Sequence, residues 1–336
     1  MRTGEFPLTP ECEAAALTLI AEDLAGMKSQ VCGLAGHFAL SARFLPVRMN
    51  AFRRHVPARF WPFPSRAVRG VPETGPVFSV AGKGGRVGAA LRSAMRPVVQ
   101  IQNPRLALSR FDLVVANVHD EISGPNVILT RTALHGLTPQ VLETARTEWA
   151  VRLKSDDRPL VAVLAGGTNG RFRFGAEEAR ALVRNLHCAL RSLNARLFIT
   201  TSRRTGPEAS AALRAAAADF GGEIWEGGAD NPYQGLIACA DFVIVTADSV
   251  SMVSEAVAGP APVFVARLPG YSRRIGLFLE TLRNSGRIRF FEDFLEAWPV
   301  VPLDDTAAAA SEISRRLGLP LRPEAGSGIP DTQSGG

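Results

Sequence analysis

The chain has 336 residues, 46% of them apolar and 21% charged, with a net charge of +6 at neutral pH. Length and composition describe a globular protein with room for two domains and exclude a low-complexity or fibrous chain. No apolar run reaches the roughly 18 to 20 residues that cross a bilayer, and the opening MRTGEFPLTPECE lacks the basic-then-apolar order of a signal peptide, so a cytoplasmic protein is expected, with peripheral membrane contact left open.

In the first half, short apolar runs alternate with amphipathic stretches. Strands are expected at AALTLIAE, ARFLPVRM, PVFSVAG, PVVQIQ, FDLVVANV and NVILTRTA, with helices over 28–40 and 85–95 between them. A helical stretch over 139–153 leads into KSDDRP, a polar segment closed by proline, which marks the expected end of a first domain, 1–154. The rhythm restarts at PLVAVLAGG and continues through ARLFITTS, GEIWEG, DFVIVTAD and APVFVARL, with helices near 177–193, 207–220, 233–240, 250–258 and 273–285. This predicts an α/β fold of two doubly wound, Rossmann-like domains facing a cleft, the second spanning 155–320. The Gly- and Ser-rich segment 321–336 is expected to be a disordered tail.

The positive charge comes from arginine, since lysine occurs only at Lys28, Lys83 and Lys154, and the basic pairs Arg53/Arg54, Arg203/Arg204, Arg273/Arg274 and Arg315/Arg316 are dispersed. No nucleic-acid partner is expected from such a distribution. Cys12, Cys32, Cys188 and Cys239 lie far apart without C-x-x-C or a paired histidine spacing, so neither a metal site nor a disulfide framework is expected.

In open α/β sheets ligands sit beyond the carboxyl ends of the strands, and four segments there are rich in polar groups. GGTNGRFRFG follows PLVAVLA: Gly166 and Gly167 let backbone N–H groups approach an anion, with Asn169 beside them. Arg203 and Arg204 follow the next strand, where two guanidinium groups suit a diphosphate and equally suit a solvated turn. In VTADSVSMVSEA, a helix start at Asp248 or Ser249 offers N–H and hydroxyl donors, Ser249 and Ser251 among them, with Glu255 one turn further in. Tyr233, opening a short helix, could take a base ring or simply pack in the core. In the first half, Gln30, the turn AGKGGR with Lys83, and the pair His119-Asp120 occupy corresponding positions. A histidine near its ordinary pKa of about 6.5 could deprotonate a hydroxyl, with Asp120 orienting it, or it could bond a loop carbonyl.

The run NPYQGLIACADFVIVTADSVSMVSEA, with GGTNGRFRFG and SRRTGPE before it and VVQIQNP and FDLVVANVHDEISGPNVILTRTALH in the first half, resembles the mitochondrial-fission family of the elongated-mitochondria type, with its bacterial homologues. The likeness covers residues 15–314. It implies a fold similar to the GT-B glycosyltransferases, whose C-terminal domain holds a nucleotide-sugar donor. Those roles would fall to Gly166, Gly167 and Asn169, to Ser249 and Ser251 at the diphosphate, and to Glu255 at the ribose, with Arg203, Arg204 and Tyr233 beside them. Gln30 and Lys83 would lie on the acceptor side, and His119 with Asp120 would be the acid–base pair. No cofactor or metal is implied, the nucleotide-sugar being a substrate. The plant member of the family is an adaptor for a fission protein, so a non-catalytic adaptor with a protein partner is the alternative. It would show an apolar or basic patch around YSRRIGLFLETLRNSGRIRFF. The label of sugar-nucleotide epimerase, often given to bacterial homologues, is set aside: G-x-G-x-x-G is missing at the first strand, as is Tyr-x-x-x-Lys.

Overall fold

The computed structural model describes residues 17–323; Cys12 and the tail from Glu324 onward lie outside them. Six strands, β1 (Leu17–Ala21), β2 (Ala42–Pro46), β3 (Val77–Val80), β4 (Val98–Ile101), β5 (Leu113–Asn117) and β6 (Val127–Thr130), form a first sheet in the order β2-β1-β3-β4-β5-β6. Six more, β7 (Leu160–Ala165), β8 (Arg196–Thr201), β9 (Glu223–Trp225), β10 (Phe242–Thr246), β11 (Val263–Ala266) and β12 (Ile288–Phe291), form a second in the order β12-β11-β10-β7-β8-β9. Every strand pair in both sheets is parallel. Helices on both faces bury such sheets, which is why β1, β5, β7 and β10 are apolar without alternation and buried at every position.

In the first half the connections are α1 (Ala25–Ala35), the short α2 (Ala51–His55) and α3 (Ala81–Leu91). α3 leaves β3 without a loop, so AGKGGR, expected as a turn, is its opening. Gly84 in this opening and Gly88 one turn on serve packing: a Cβ at Gly84 would lie 2.9 Å from the Ile20 carbonyl oxygen, and one at Gly88 would lie 2.5 Å from Ser79 Oγ. α4 (Pro139–Leu153) follows β6, started by Thr138, whose Oγ1 accepts from the Val141 N–H. The second half carries α5 (Ala176–Leu193), α6 (Pro207–Asp219), α7 (Tyr233–Cys239), α8 (Val250–Ala258), α9 (Arg273–Asn284) and α10 (Thr306–Leu317). α5 shows how these helices are specified: Ala179, Leu182, Leu186, Ala189 and Leu190 form its buried stripe, and Asn194 ends it in a left-handed turn at φ 48°.

Two helices cross the division expected at residue 154. α4 packs on α7, and its Leu142, Ala145 and Leu153 join the core under the second sheet. α10, from the far end of the chain, returns to the first domain, where Ala309, Ala310 and Ile313 pack with Val31, Leu34 and Phe38. The chain beyond it is tied down by backbone bonds from Ala39 to Pro320 and from Arg322 to His37. Residues 321–323 of the expected tail are therefore part of the first domain.

The strand ends pack against the helices with little room. A Cβ at Gly33 in α1 would lie 2.3 Å from the backbone carbonyl carbon of His135, whereas one at Gly276 in α9 meets nothing within 4 Å. Gly33→Ala is expected to lose about 1 to 3 kcal/mol in urea unfolding. Gly276→Ala should gain up to about 1 kcal/mol from helix propensity. Equal effects would show that this contact is not as tight as its geometry.

Candidate functional site

In the second sheet β7 and β10 are neighbours, and the chain leaves them toward opposite edges, so a crevice opens at their carboxyl ends. Asp248 fills its base. Its side chain has no exposed surface, and it accepts hydrogen bonds from Thr246 Oγ1 (2.7 Å), the Gly167 N–H (3.2 Å) and Arg204 Nη2 (2.8 Å). Gly166 is glycine because a Cβ there would lie 2.1 Å from Asp248 Oδ1, and Gly167 because one would lie 2.2 Å from the Arg204 carbonyl. Asn169 turns the loop: Oδ1 accepts from the Arg171 and Phe172 N–H groups, and Nδ2 donates to the Asp248 carbonyl. The loops after β7, β8 and β10 are thus one bonded unit. Arg204 belongs to it, also donating to the Gly167 carbonyl, while Arg203 is exposed and has no carboxylate partner among the described residues.

Ser249 caps α8, its Oγ accepting from the Met252 N–H at 3.3 Å. The next turns of α8 face the first domain. Ser251 Oγ lies 3.5 Å from where a Cβ of Gly26 in α1 would stand. Buried Ser254 accepts from the Ala133 N–H at 2.9 Å, and Glu255 accepts from Ser29 Oγ of α1 at 3.1 Å and from the Tyr233 hydroxyl at 2.7 Å. Burial, and then the Glu255 carboxylate, push the Tyr233 pKa well above its ordinary value, so this phenol is a fixed neutral donor rather than a free platform for a base.

On the opposite wall, Lys83 Nζ bonds Glu22 Oε1 at 2.7 Å across the ends of β1 and β3, the corresponding crevice of the first sheet. Gln30 is buried, with Oε1 accepting from Gln102 Nε2 at 3.0 Å. His119 and Asp120 do not form the expected dyad. Asp120 pairs with Arg274 of α9, and the His119 ring, 3% exposed, stands edge-on to Phe278 at 5.3 Å. Burial lowers the His119 pKa to about 4; Asp120 works against this and Arg274 adds to it. A ring so held is a weak base inside a domain contact, because the strand end carrying it is where α9 docks.

The structure therefore gathers Gly166, Gly167, Asn169, Arg203, Arg204, Ser249, Ser251, Tyr233 and Glu255 at one crevice, sets Gln30 and Lys83 on the facing wall, and puts His119 and Asp120 in the contact between domains. Thr246 and Ser29 complete the site without having been expected, and Asp248, expected as one of two possible helix caps, is instead the buried anchor of the loops, the cap being Ser249. The patch expected around Tyr271–Phe291 is not a free basic surface: Arg273, Arg274, Arg283 and Arg289 pair with Glu121, Asp120, Glu280 and Glu296, and buried Arg287 donates to the Val257 and Gly259 carbonyls. A cavity lined by Arg92, Ser93, Pro97, Ser109 and Asp112 lies at the amino edge of the first sheet, away from this chemistry. No helix among the described residues is long and apolar enough to cross a membrane, and no His, Cys, Asp or Glu cluster there could hold a metal ion.

A family profile described as Mitochondrial fission ELM1 matches residues 25–317. The Arabidopsis thaliana mitochondrial fission protein ELM1 is 34% identical over 247 residues, 66% of this chain and 58% of that protein. An uncharacterised Rickettsia prowazekii protein is 29% identical over 168 residues, 48% of this chain and 47% of that one. The chain thus spans only about half the length of these relatives. Among solved structures, a Listeria monocytogenes protein assigned as a UDP-N-acetylglucosamine 2-epimerase superposes with a TM-score of 0.56 at 11% identity, covering 91% of this chain and 97% of that one. MnaA of S. aureus, solved with UDP, superposes with a TM-score of 0.53 at 11% identity, covering 90% and 97%. At this identity the likeness shows the fold alone, that of the GT-B enzymes. A neighbour named as a UDP-N-acetylglucosamine 2-epimerase shares this architecture, so the lack of G-x-G-x-x-G at the first strand does not bear on that activity.

The buried His119 gives a pH prediction. Unfolded, the imidazole takes its proton near pH 6.5; folded, only near 4. Stability is thus unaffected by this group above pH 6.5 and falls as pH drops from 6.5 to 4, by up to about 3 kcal/mol. The charged groups facing it are Asp120 and Arg274, with Glu121 and Arg273 beside them. In urea unfolding at pH 7 and pH 4.5, His119→Gln is expected to lose less on acidification than the wild type does; parallel losses would rule out this origin.

Proposed function

This chain belongs to the mitochondrial fission ELM1 family, and from that premise and the shape of the crevice we propose that it binds a nucleotide-sugar and transfers the sugar, without metal, to an envelope-related acceptor on the first domain. One observation carries the reading. The open N–H groups at the start of α8, the exposed Arg203 and a carboxylate one turn into that helix converge at the switch point of a parallel sheet, above a loop whose Gly166 and Gly167 N–H groups are bonded to Thr246 and Asp248. UDP in the S. aureus neighbour, a protein of the same fold, supports UDP as the first ligand to try.

The first N–H groups of a helix have no partner within it, and in α8 Ser249 takes only that of Met252. The N–H groups of Val250 and Ser251 are then donors for diphosphate oxygens, favoured by the positive end of the helix. Arg203, without a carboxylate partner among the described residues, adds charge to the leaving diphosphate. Arg204 acts one step back, holding the Gly167 loop through Asp248. Glu255 meets the ribose hydroxyls once its bond from Ser29 is exchanged for one from the sugar, so ligand entry loosens α1 from α8. Deprotonation of an acceptor falls to a group other than His119. The adaptor alternative called for an apolar or basic patch; the arginines of that stretch are paired or buried, while Tyr271 at its start is 80% exposed.

A thermal-shift panel of UDP and UDP-sugars tests this, each protein compared with its own ligand-free midpoint. A ligand at about 100 times its Kd should raise the wild-type midpoint by roughly 5 °C. Glu255→Ala should abolish the rise, and Arg203→Ala and Arg204→Ala should each weaken binding by more than about tenfold. A flat panel would remove the nucleotide-sugar reading, and a rise that Glu255→Ala keeps would remove the ribose role.

A further inference from the structure

We propose that the arginine-rich segment from Arg43 to Arg69 is a docking face for an anionic lipid bilayer, with Phe52, Phe60 and Phe63 entering the headgroup region. Between Asp23 and Glu73 the sequence contains no acidic residue, yet it places seven arginines between positions 43 and 69. Among the described residues none of the seven is paired with a carboxylate. Arginines elsewhere commonly are, as at Arg92, Arg131, Arg214 and Arg315. Unneutralised charge at this density is complementary to anionic headgroups.

The apolar half of the argument is geometric. Phe52, Phe60 and Phe63 are 49%, 62% and 65% exposed, a large share for phenylalanine. They are not exposed because the segment is loose. Trp61 is buried among Ile20, Val77, Val87 and Val98, its Nε1 donating to the Val56 carbonyl at 2.8 Å, and Ala67 and Val68 are buried with it. The chain is anchored from beneath, so the rings project from a fixed platform. The Arg59 and Arg66 guanidinium groups lie 4.7 Å from the Phe60 and Phe63 ring centroids. Apolar rings flanked by long cationic side chains match an interface whose interior is hydrocarbon and whose surface is phosphate. Single-stranded RNA is the other polyanion that such a surface could meet, but stacking needs open ring faces, and here guanidinium groups already lie over two of the three rings.

The segment leaves the carboxyl edge of β2, the edge of the first sheet that looks onto the cleft, and continues over α3. Docking therefore sets the cleft mouth beside the bilayer, whatever ligand the cleft takes.

The test is co-sedimentation of the full chain with vesicles of equal parts phosphatidylglycerol and phosphatidylcholine, against phosphatidylcholine alone. Two variants are compared: Phe52→Ser, Phe60→Ser, Phe63→Ser together, and Arg54→Gln, Arg59→Gln, Arg66→Gln together. All six side chains are exposed, and unchanged thermal midpoints confirm that both variants fold. The wild type is expected to prefer the anionic vesicles by at least about tenfold, an excess that the arginine variant loses and that salt weakens. The phenylalanine variant should bind the same vesicles at least about fivefold less at unchanged charge. A wild type that ignores anionic vesicles, variants that bind as it does, or tighter binding to oligouridylate than to vesicles would each overturn the proposal.

Discussion

The buried carboxylate of Asp248 is the constraint around which the second domain's ligand edge is built. It stands where β7, β8 and β10 end and collects a hydroxyl, a backbone N–H and a guanidinium. Leaving such a group without its partners costs about 3 to 5 kcal/mol, so Thr246, Gly167 and Arg204 are fixed together. Gly166 follows as a steric consequence, since the carboxylate occupies the space of a side chain there. This also decides between two readings of Arg203-Arg204. The second arginine is fastened to Asp248 and the Gly167 carbonyl while still partly exposed, and the first has no carboxylate partner among the described residues.

α8 is polar for a second reason. A helix behind a parallel sheet needs one apolar stripe, which Val253, Ala256 and Val257 supply. Its other side meets another domain instead of water. Ser254 receives the Ala133 N–H, Glu255 receives Ser29, and Ser251 faces Gly26. Much of the hydroxyl richness that suggests an anion site is therefore interdomain complementarity. What remains for a ligand is narrower: two helix-start N–H groups, an outward arginine, and a carboxylate whose partner across the cleft is a single serine. Because Ser29 holds that oxygen, any ligand that took it would do so at the expense of the domain contact.

The central strands were legible because burial on both faces leaves a parallel strand little option but a continuous apolar run, while the edge strands β2 and β9, only partly buried, showed through shorter apolar stretches. β12 was not legible, because IRFF carries Arg289 and follows Arg287, and charge within a run argues against burial. Arg287 is buried all the same, since two backbone carbonyls accept its hydrogen bonds, and burial pulls its pKa down to about 10. α10 and the crossing of α4 were hidden for a different reason. An amphipathic stripe specifies that a helix must be covered, never by what, and the partners of α10 are more than 270 residues away in sequence, at Val31 and Leu34. The site followed the same division: residues at strand ends could be named, while their bonding to each other depended on loops that only the fold brings together.

Arginine shows the limit of composition most plainly. Counted along the chain, the basic pairs are scattered and mean little. In the fold they separate into classes with different physical roles. Arg274 closes a domain contact against Asp120, Arg131 ties the start of α10 to the first sheet through Asp305, Arg287 bonds the carbonyls at the end of α8, and Arg204 holds a loop. Charge neutralised in these ways contributes little to the field outside the molecule. The arginines from Arg43 to Arg69 have no acidic residue nearby in sequence and, among the described residues, pair with no carboxylate, so they form a patch of unneutralised charge although the net charge is only +6. A modest net charge is thus compatible with a strongly polarised surface, and it is the pairing of each arginine, not the number of arginines, that decides where an anionic partner would be drawn.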